Sequence, residues 1–76
     1  MLILTQDRTR VFNLENLEYI GVEYDYPEKT SEVIAYTQDG MGYTLGKYEN
    51  RLRAKDVLKS LWKAFDSANI FDMPEE

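Results

Sequence analysis

The sequence contains neither cysteine nor histidine among its 76 residues. The absence of cysteine excludes disulfides and thiolate metal sites, and the absence of histidine removes the commonest metal ligand and the usual base at neutral pH. Small domains often compensate for a thin hydrophobic core with disulfides, metals or oligomerisation. The composition therefore favours oligomerisation, and we expect no metal and no cofactor.

Long apolar runs are also absent. The N-terminal segment MLILTQD has only four apolar residues and no basic flank, so we expect neither a signal peptide nor a membrane span. The cytoplasm is the expected location. The formal net charge of −5 argues against a general affinity for nucleic acid or for anionic membranes.

The charge is unevenly distributed along the chain. Residues 1–48 carry a net charge of −4, residues 49–68 carry +2, and residues 69–76 carry −3. Only residues 49–68 therefore carry a net positive charge, and the segments on both sides carry a net negative charge.

Alternation of apolar and polar residues predicts five antiparallel strands before residue 48. Turn-forming residues separate the strands, and Asp39 and Gly40 form the pair that favours a tight hairpin. The strands are expected at about residues 1–5, 9–14, 17–25, 31–38 and 41–47.

A helix is predicted over residues 50–68, because apolar side chains recur there at helical spacing and Asn50 is a good N-cap residue. The apolar stripe consists of Ala54, Val57, Leu58, Leu61, Ala64, Phe65 and Ala68. Asn69 is expected to end the helix in the left-handed conformation, with Ile70 against Phe65 as in a Schellman motif.

The tail, residues 69–76, is expected to be extended. Phe71 and Met73 alternate with Asp72, so both point to one side, and Pro74 ends any ladder that the segment joins. A short added strand, or a strip across the sheet, fits this pattern. We expect Phe71 and Met73 to bury against this chain or a second copy, with Trp62 packed beside them.

Together these elements predict a single α+β domain of residues 1–76. Five strands would form one strongly curved antiparallel sheet, with the helix across it. The first two strands carry large apolar side chains on both faces, so the face away from the helix needs its own cover. A partly closed barrel of the pleckstrin-homology kind would supply that cover, and so would a dimer interface.

Five short motifs are spread over nearly the whole chain: ILTQD at residues 3–7, FNLENL at 12–17, LGKY at 45–48, RAKDVL at 53–58 and MPE at 73–75. This pattern resembles a family of small uncharacterised proteins of Gram-positive bacteria and their prophages. The motifs are structural and none is catalytic. The resemblance implies a fold and a bacterial or phage source, and it implies no activity.

Features that would indicate catalysis are weak. Glu23 and Asp25 lie two residues apart on a predicted strand, the arrangement of an acid–base pair, but an isolated pair is weak support. No histidine or cysteine is present to activate a nucleophile. The glycine spacing of GMGYTLG, residues 40–46, fits a hairpin rather than a phosphate loop. We therefore expect a non-enzymatic protein.

Two further groups of side chains join Phe71 and Met73 as candidate interaction residues. Tyr24 and Tyr26 flank a predicted hairpin tip, where exposed aromatic side chains commonly anchor interfaces. Every fourth residue of the predicted helix is basic, and the resulting basic ridge consists of Arg51, Lys55, Lys59 and Lys63. A solvated helix face explains the basic ridge most simply. Contact with phosphates, or with an acidic protein such as a second copy, is the alternative.

The sequence thus predicts a small protein-interaction domain, homo-oligomeric and of bacterial or prophage origin. One alternative is a phage-encoded acidic inhibitor that mimics nucleic acid and occupies a host protein. The other is a nucleic-acid binder that uses the basic ridge. A contiguous acidic surface would favour the inhibitor, whereas acidic groups interrupted by apolar surface would favour the oligomer.

Overall fold

The chain forms six strands and one α-helix in a computed structural model that describes residues 1–76. In chain order the strands are β1 (Leu2–Leu4), β2 (Val11–Asn13), β3 (Leu17–Asp25), β4 (Thr30–Thr37), β5 (Gly42–Tyr48) and β6 (Ile70–Asp72). The helix α1 spans Arg51–Ala64 and follows β5, and a 3₁₀ turn at Leu14–Asn16 joins β2 to β3. The α+β class with one helix is confirmed. That helix has neither the length nor the apolar character to cross a membrane.

The strands form two separate three-stranded sheets. The first has the order β2-β1-β6, in which β1 is antiparallel to β2 and parallel to β6. The second is the antiparallel meander β3-β4-β5. The expectation of five strands in one curved sheet is wrong, and so is the partly closed, pleckstrin-homology-like barrel.

The 3₁₀ turn separates the two sheets. The side-chain oxygen of Asn13 accepts a hydrogen bond from the Glu15 N–H at 3.1 Å, and this cap ends β2 after three residues. The chain therefore changes direction before β3 begins. β2 remains an edge strand of the first sheet and does not pair with β3.

The core lies where α1, one face of the second sheet and the first sheet meet. α1 begins at its predicted cap, because the Asn50 side chain accepts from the Arg53 N–H at 2.8 Å. The buried apolar residues are Ile3, Val33, Ala35, Leu45, Tyr48, Ala54, Val57, Leu61 and Met73.

The helix ends at Ala64 rather than at residue 68, and the predicted Schellman motif is wrong. Phe65 is a right-handed C-cap, and Asn69 is not among the residues with positive φ. Ile70 is exposed and pairs with Leu2, which donates its N–H to the Asn69 carbonyl at 2.8 Å. The chain leaves the helix early because residues 69–72 must reach the edge of β1.

The tail docks on its own chain through β6. Ile3 is paired with Phe71, and the Met73 N–H donates to the Leu4 carbonyl at 3.0 Å. The Met73 side chain is 0% exposed, and Phe71 packs half-buried against the core. The expected added strand is present, and the docking is in cis.

Four consecutive tail carbonyls each accept a hydrogen bond from a different side chain, and we call these four side chains the tail clamp. Arg8 donates to Met73 O at 2.9 Å, and the Tyr48 hydroxyl donates to Pro74 O at 2.8 Å. Gln6 donates to Glu75 O at 3.0 Å, and Arg53 Nε donates to Glu76 O at 2.9 Å. The tail clamp fixes the backbone from Met73 to Glu76 to three separate parts of the chain.

Replacing Met73 with alanine should lower the free energy of unfolding by about 2–4 kcal/mol, because the substitution leaves a cavity in the core. Met41→Ala is the matched control, since Met41 is 53% exposed in the β4–β5 hairpin and should cost less than about 0.5 kcal/mol. Urea denaturation of both variants measures the difference. Equal losses for the two variants would show that the tail is not part of the core.

Tyr48→Phe should cost about 1 kcal/mol at pH 7, because one hydrogen bond to the tail is lost. Burial raises the pKa of Tyr48, so its native hydroxyl resists ionisation. The pKa of Tyr48 is higher in the folded protein than its value of about 10 in the unfolded chain. The stability that this difference contributes is fully present below the unfolded pKa and is lost as the pH rises through the folded pKa.

The difference in unfolding free energy between wild type and Tyr48→Phe should therefore shrink above about pH 10. Denaturation series at neutral and alkaline pH measure it, with Tyr26→Phe as the exposed control. A difference that does not change with pH would contradict this role of the Tyr48 hydroxyl.

Candidate interaction groove

An apolar groove of about 260 Å³ runs between α1 and β3, and we call it the α1–β3 groove. Eight of its nine lining residues are hydrophobic. The helix and its C-cap contribute Leu58, Leu61, Trp62 and Phe65. The 3₁₀ turn and β3 contribute Leu14, Leu17, Glu18, Tyr19 and Ile20.

Large aromatic side chains at this groove face solvent. Trp62 is 74% exposed and Phe65 is 57% exposed. Trp62 therefore does not pack on the tail as expected, and Phe65 is not a core residue. Exposed aromatic side chains beside an apolar pocket are typical of a protein-interaction surface.

The outer edge of β3 is free. β3 has nine residues, and its only neighbour in the sheet is β4. Apart from the hydrogen bonds to β4, no backbone hydrogen bond joins residues 18–24 to another element. By contrast, the outer edge of β5 is covered, because the Gln6 N–H donates to Leu45 O and the Lys47 N–H donates to Gln6 Oε1. The long free edge thus lies beside the groove.

Apolar surface continues around this edge to the other face of the second sheet. There the rings of Tyr19 and Tyr36 are stacked with their centroids 4.6 Å apart. Gly42 leaves room for this stack, since a Cβ atom at that position would lie 3.0 Å from the Tyr36 ring. The face away from α1, which was expected to need a cover, has none within this chain around Tyr19.

The basic ridge borders the same groove. All four of its side chains are exposed. On the helix surface, Lys55 and Lys59 lie next to the groove-lining residues Leu58 and Trp62. The Arg51 guanidinium lies 5.5 Å from the centre of the Tyr24 ring of β3. The structure thus brings two sequence-predicted interaction residues together, at the opposite end of β3 from the residues that line the groove.

The other candidate residues lie elsewhere. Tyr26 is exposed in the β3–β4 hairpin, and Phe71 and Met73 belong to the docked tail. Met73 offers no surface to a partner because it is buried in its own chain. Sequence reasoning missed the groove itself, although Trp62, just outside the apolar stripe, was the signal for it.

The acidic side chains do not form one uninterrupted surface. Lys47 Nζ lies 2.6 Å from Glu28 and 3.4 Å from Asp25, and the hydrogen bond to Glu28 raises the pKa of Lys47. Asp25 is therefore engaged in an ion pair rather than in a free carboxylate pair with Glu23. On the outer sheet face, Tyr19 and Tyr36 interrupt the acidic groups. The structure contains no cluster of three or more acidic side chains placed to hold a metal ion.

Comparisons with protein-family models, with curated proteins and with solved structures find no match for this chain. The resemblance to small Gram-positive and prophage proteins therefore stays an expectation from the motifs. The function has to be argued from the geometry of the groove and of the β3 edge.

The basic ridge should not bind duplex DNA at physiological salt, because its charge is offset by the overall charge of −5 and Arg51 already lies over Tyr24. Fluorescence anisotropy with a labelled duplex measures this. Micromolar, steeply salt-dependent binding would contradict the prediction if it were lost when Arg51, Lys55, Lys59 and Lys63 are changed to glutamine.

Proposed function

We propose that this chain is a small, non-enzymatic protein-interaction domain that associates with itself through the α1–β3 groove. The observation that carries the proposal is the exposure of Trp62 and Phe65 beside an apolar groove. Tryptophan and other aromatic anchors that fill pockets dominate the energetics of many interfaces. The bacterial or prophage origin implied by the motifs belongs to this proposal as well.

The energetics favour a covered groove. Full burial of a side chain the size of Phe65 contributes about 1.5–3 kcal/mol, and Trp62 offers a larger apolar surface. Such gains are large beside the 5–15 kcal/mol that stabilises a typical domain. A chain that keeps these side chains in water gives up this free energy unless a partner covers them.

The tail does not provide the contact between copies. Met73 is already buried in its own chain, and the tail clamp fixes the neighbouring backbone. The acidic inhibitor is not favoured either, because Lys47 bridges Asp25 and Glu28 within the chain. Association through the groove is the function that the exposed apolar surface supports best.

Changing Trp62 and Phe65 together to alanine should abolish self-association, since the anchors are removed while the buried core remains intact. Leu52→Ala is the matched control, because Leu52 is also exposed on α1 but does not line the groove. Sedimentation equilibrium over a range of concentrations measures association, and circular dichroism checks the fold. Burial of Trp62, the only tryptophan, should also shift its fluorescence to the blue as concentration rises.

Two results would contradict the proposal. One is association that persists unchanged in the double alanine variant. The other is a wild-type protein that stays monomeric to millimolar concentration.

A further inference from the structure

The mode of self-association can be argued from the unpaired edge of β3. A free edge of nine residues is a template for another strand, and natural domains usually protect such edges. This chain covers the outer edge of β5 with Gln6 but leaves β3 open. Apolar surface flanks the open edge on both sides, with the groove on one face and the Tyr19–Tyr36 stack on the other.

The length of β3 selects one register for pairing with a second copy. The β3–β4 ladder shifts its register between Leu17 and Tyr19, so the regular part of β3 is Tyr19–Asp25. An antiparallel pair related by a two-fold axis spans the whole of β3 only when Gly21, its middle residue, lies at the axis. In that register Tyr19 faces Glu23 of the second copy, and Ile20 faces Val22. No acidic residue faces another acidic residue.

The same register brings two complementary charges together. Glu18 is the single charged residue of the groove lining, and it has no ionic partner within the chain. Arg51 also lacks an ion pair, and its guanidinium lies over Tyr24. With Gly21 at the axis, Glu18 faces Tyr24 of the second copy and so comes beside the Arg51 above it. The two-fold axis creates this contact twice.

We propose that two copies of this chain pair through β3 in antiparallel fashion about a two-fold axis at Gly21. The β3-β4-β5 sheets of the two copies then form one continuous six-stranded sheet. Glu18 of each copy pairs with Arg51 of the other. This inference rests on the self-association proposed above and adds the contact surface, the register and the ion pair. In this register residues 17–20, which line the groove of one copy, face residues 22–25 of the other, so the Tyr24 and Arg51 end of each copy helps to cover the groove of its partner.

A charge swap tests the ion pair. Glu18→Lys alone and Arg51→Glu alone should each weaken dimerisation about tenfold, because like charges then face each other at two places in the dimer. The double variant Glu18→Lys/Arg51→Glu should restore dimerisation, because the pair is re-formed with its signs exchanged. Asp56→Lys, a change of equal charge on an exposed residue of α1 that does not line the groove, should leave dimerisation unchanged.

Hydrogen exchange tests the strand pairing independently of charge. Amides of residues 18–24 that point away from β4 should exchange more slowly as the protein concentration rises, because they gain carbonyl partners. Amides at the exposed Asp39–Gly40 turn should not change.

The outcomes separate this inference from the proposed function. If the protein dimerises and the Trp62/Phe65 alanine variant does not, but the charge swap has no effect and β3 exchange is unchanged, the groove stands and the β3 pairing is overturned. A protein that stays monomeric to millimolar concentration overturns self-association as a whole. If the protein is monomeric and its β3 amides exchange slowly only when a different protein is bound, then a second copy is not what pairs with the edge of β3.

Discussion

The parallel pairing of β6 with β1 is the interaction on which the rest of the structure depends. It draws the end of the chain back across the first sheet and places the Met73 side chain in the core. It also ends α1 at Ala64, because the following residues must reach β1. Phe65 consequently caps the end of the helix and lines the groove as an exposed side chain, instead of being buried in the core.

Local sequence signals predicted what local forces determine. The expected and observed bounds of β3 coincide at residues 17–25, because alternation sets the strand and turn residues end it. The Asn50 cap set the start of α1 in the same way. The division into two sheets was missed because it depends on pairing between Leu2–Leu4 and Ile70–Asp72, which are far apart in sequence.

The site was predictable only in part, for the same reason. The basic ridge and Tyr24 could be selected from spacing and residue type, and the structure places Arg51 over Tyr24. The groove could not be selected, because Phe65 continues the apolar stripe and its exposure follows from where the helix ends. Periodicity identifies a face that can be buried, but only the tertiary arrangement decides how much of that face is covered.

With no cysteine this small domain has no disulfide, and the docked tail stabilises the chain instead. Met73 fills the core while four side chains hold the tail carbonyls. These contacts stabilise a single copy, so self-association need not be what closes the core. The exposed Trp62, the free β3 edge and the unpaired Glu18 and Arg51 then have no role in closing the fold. A surface that the fold does not need, with exposed aromatic side chains and unpaired charges, is the reason for the self-association that we propose.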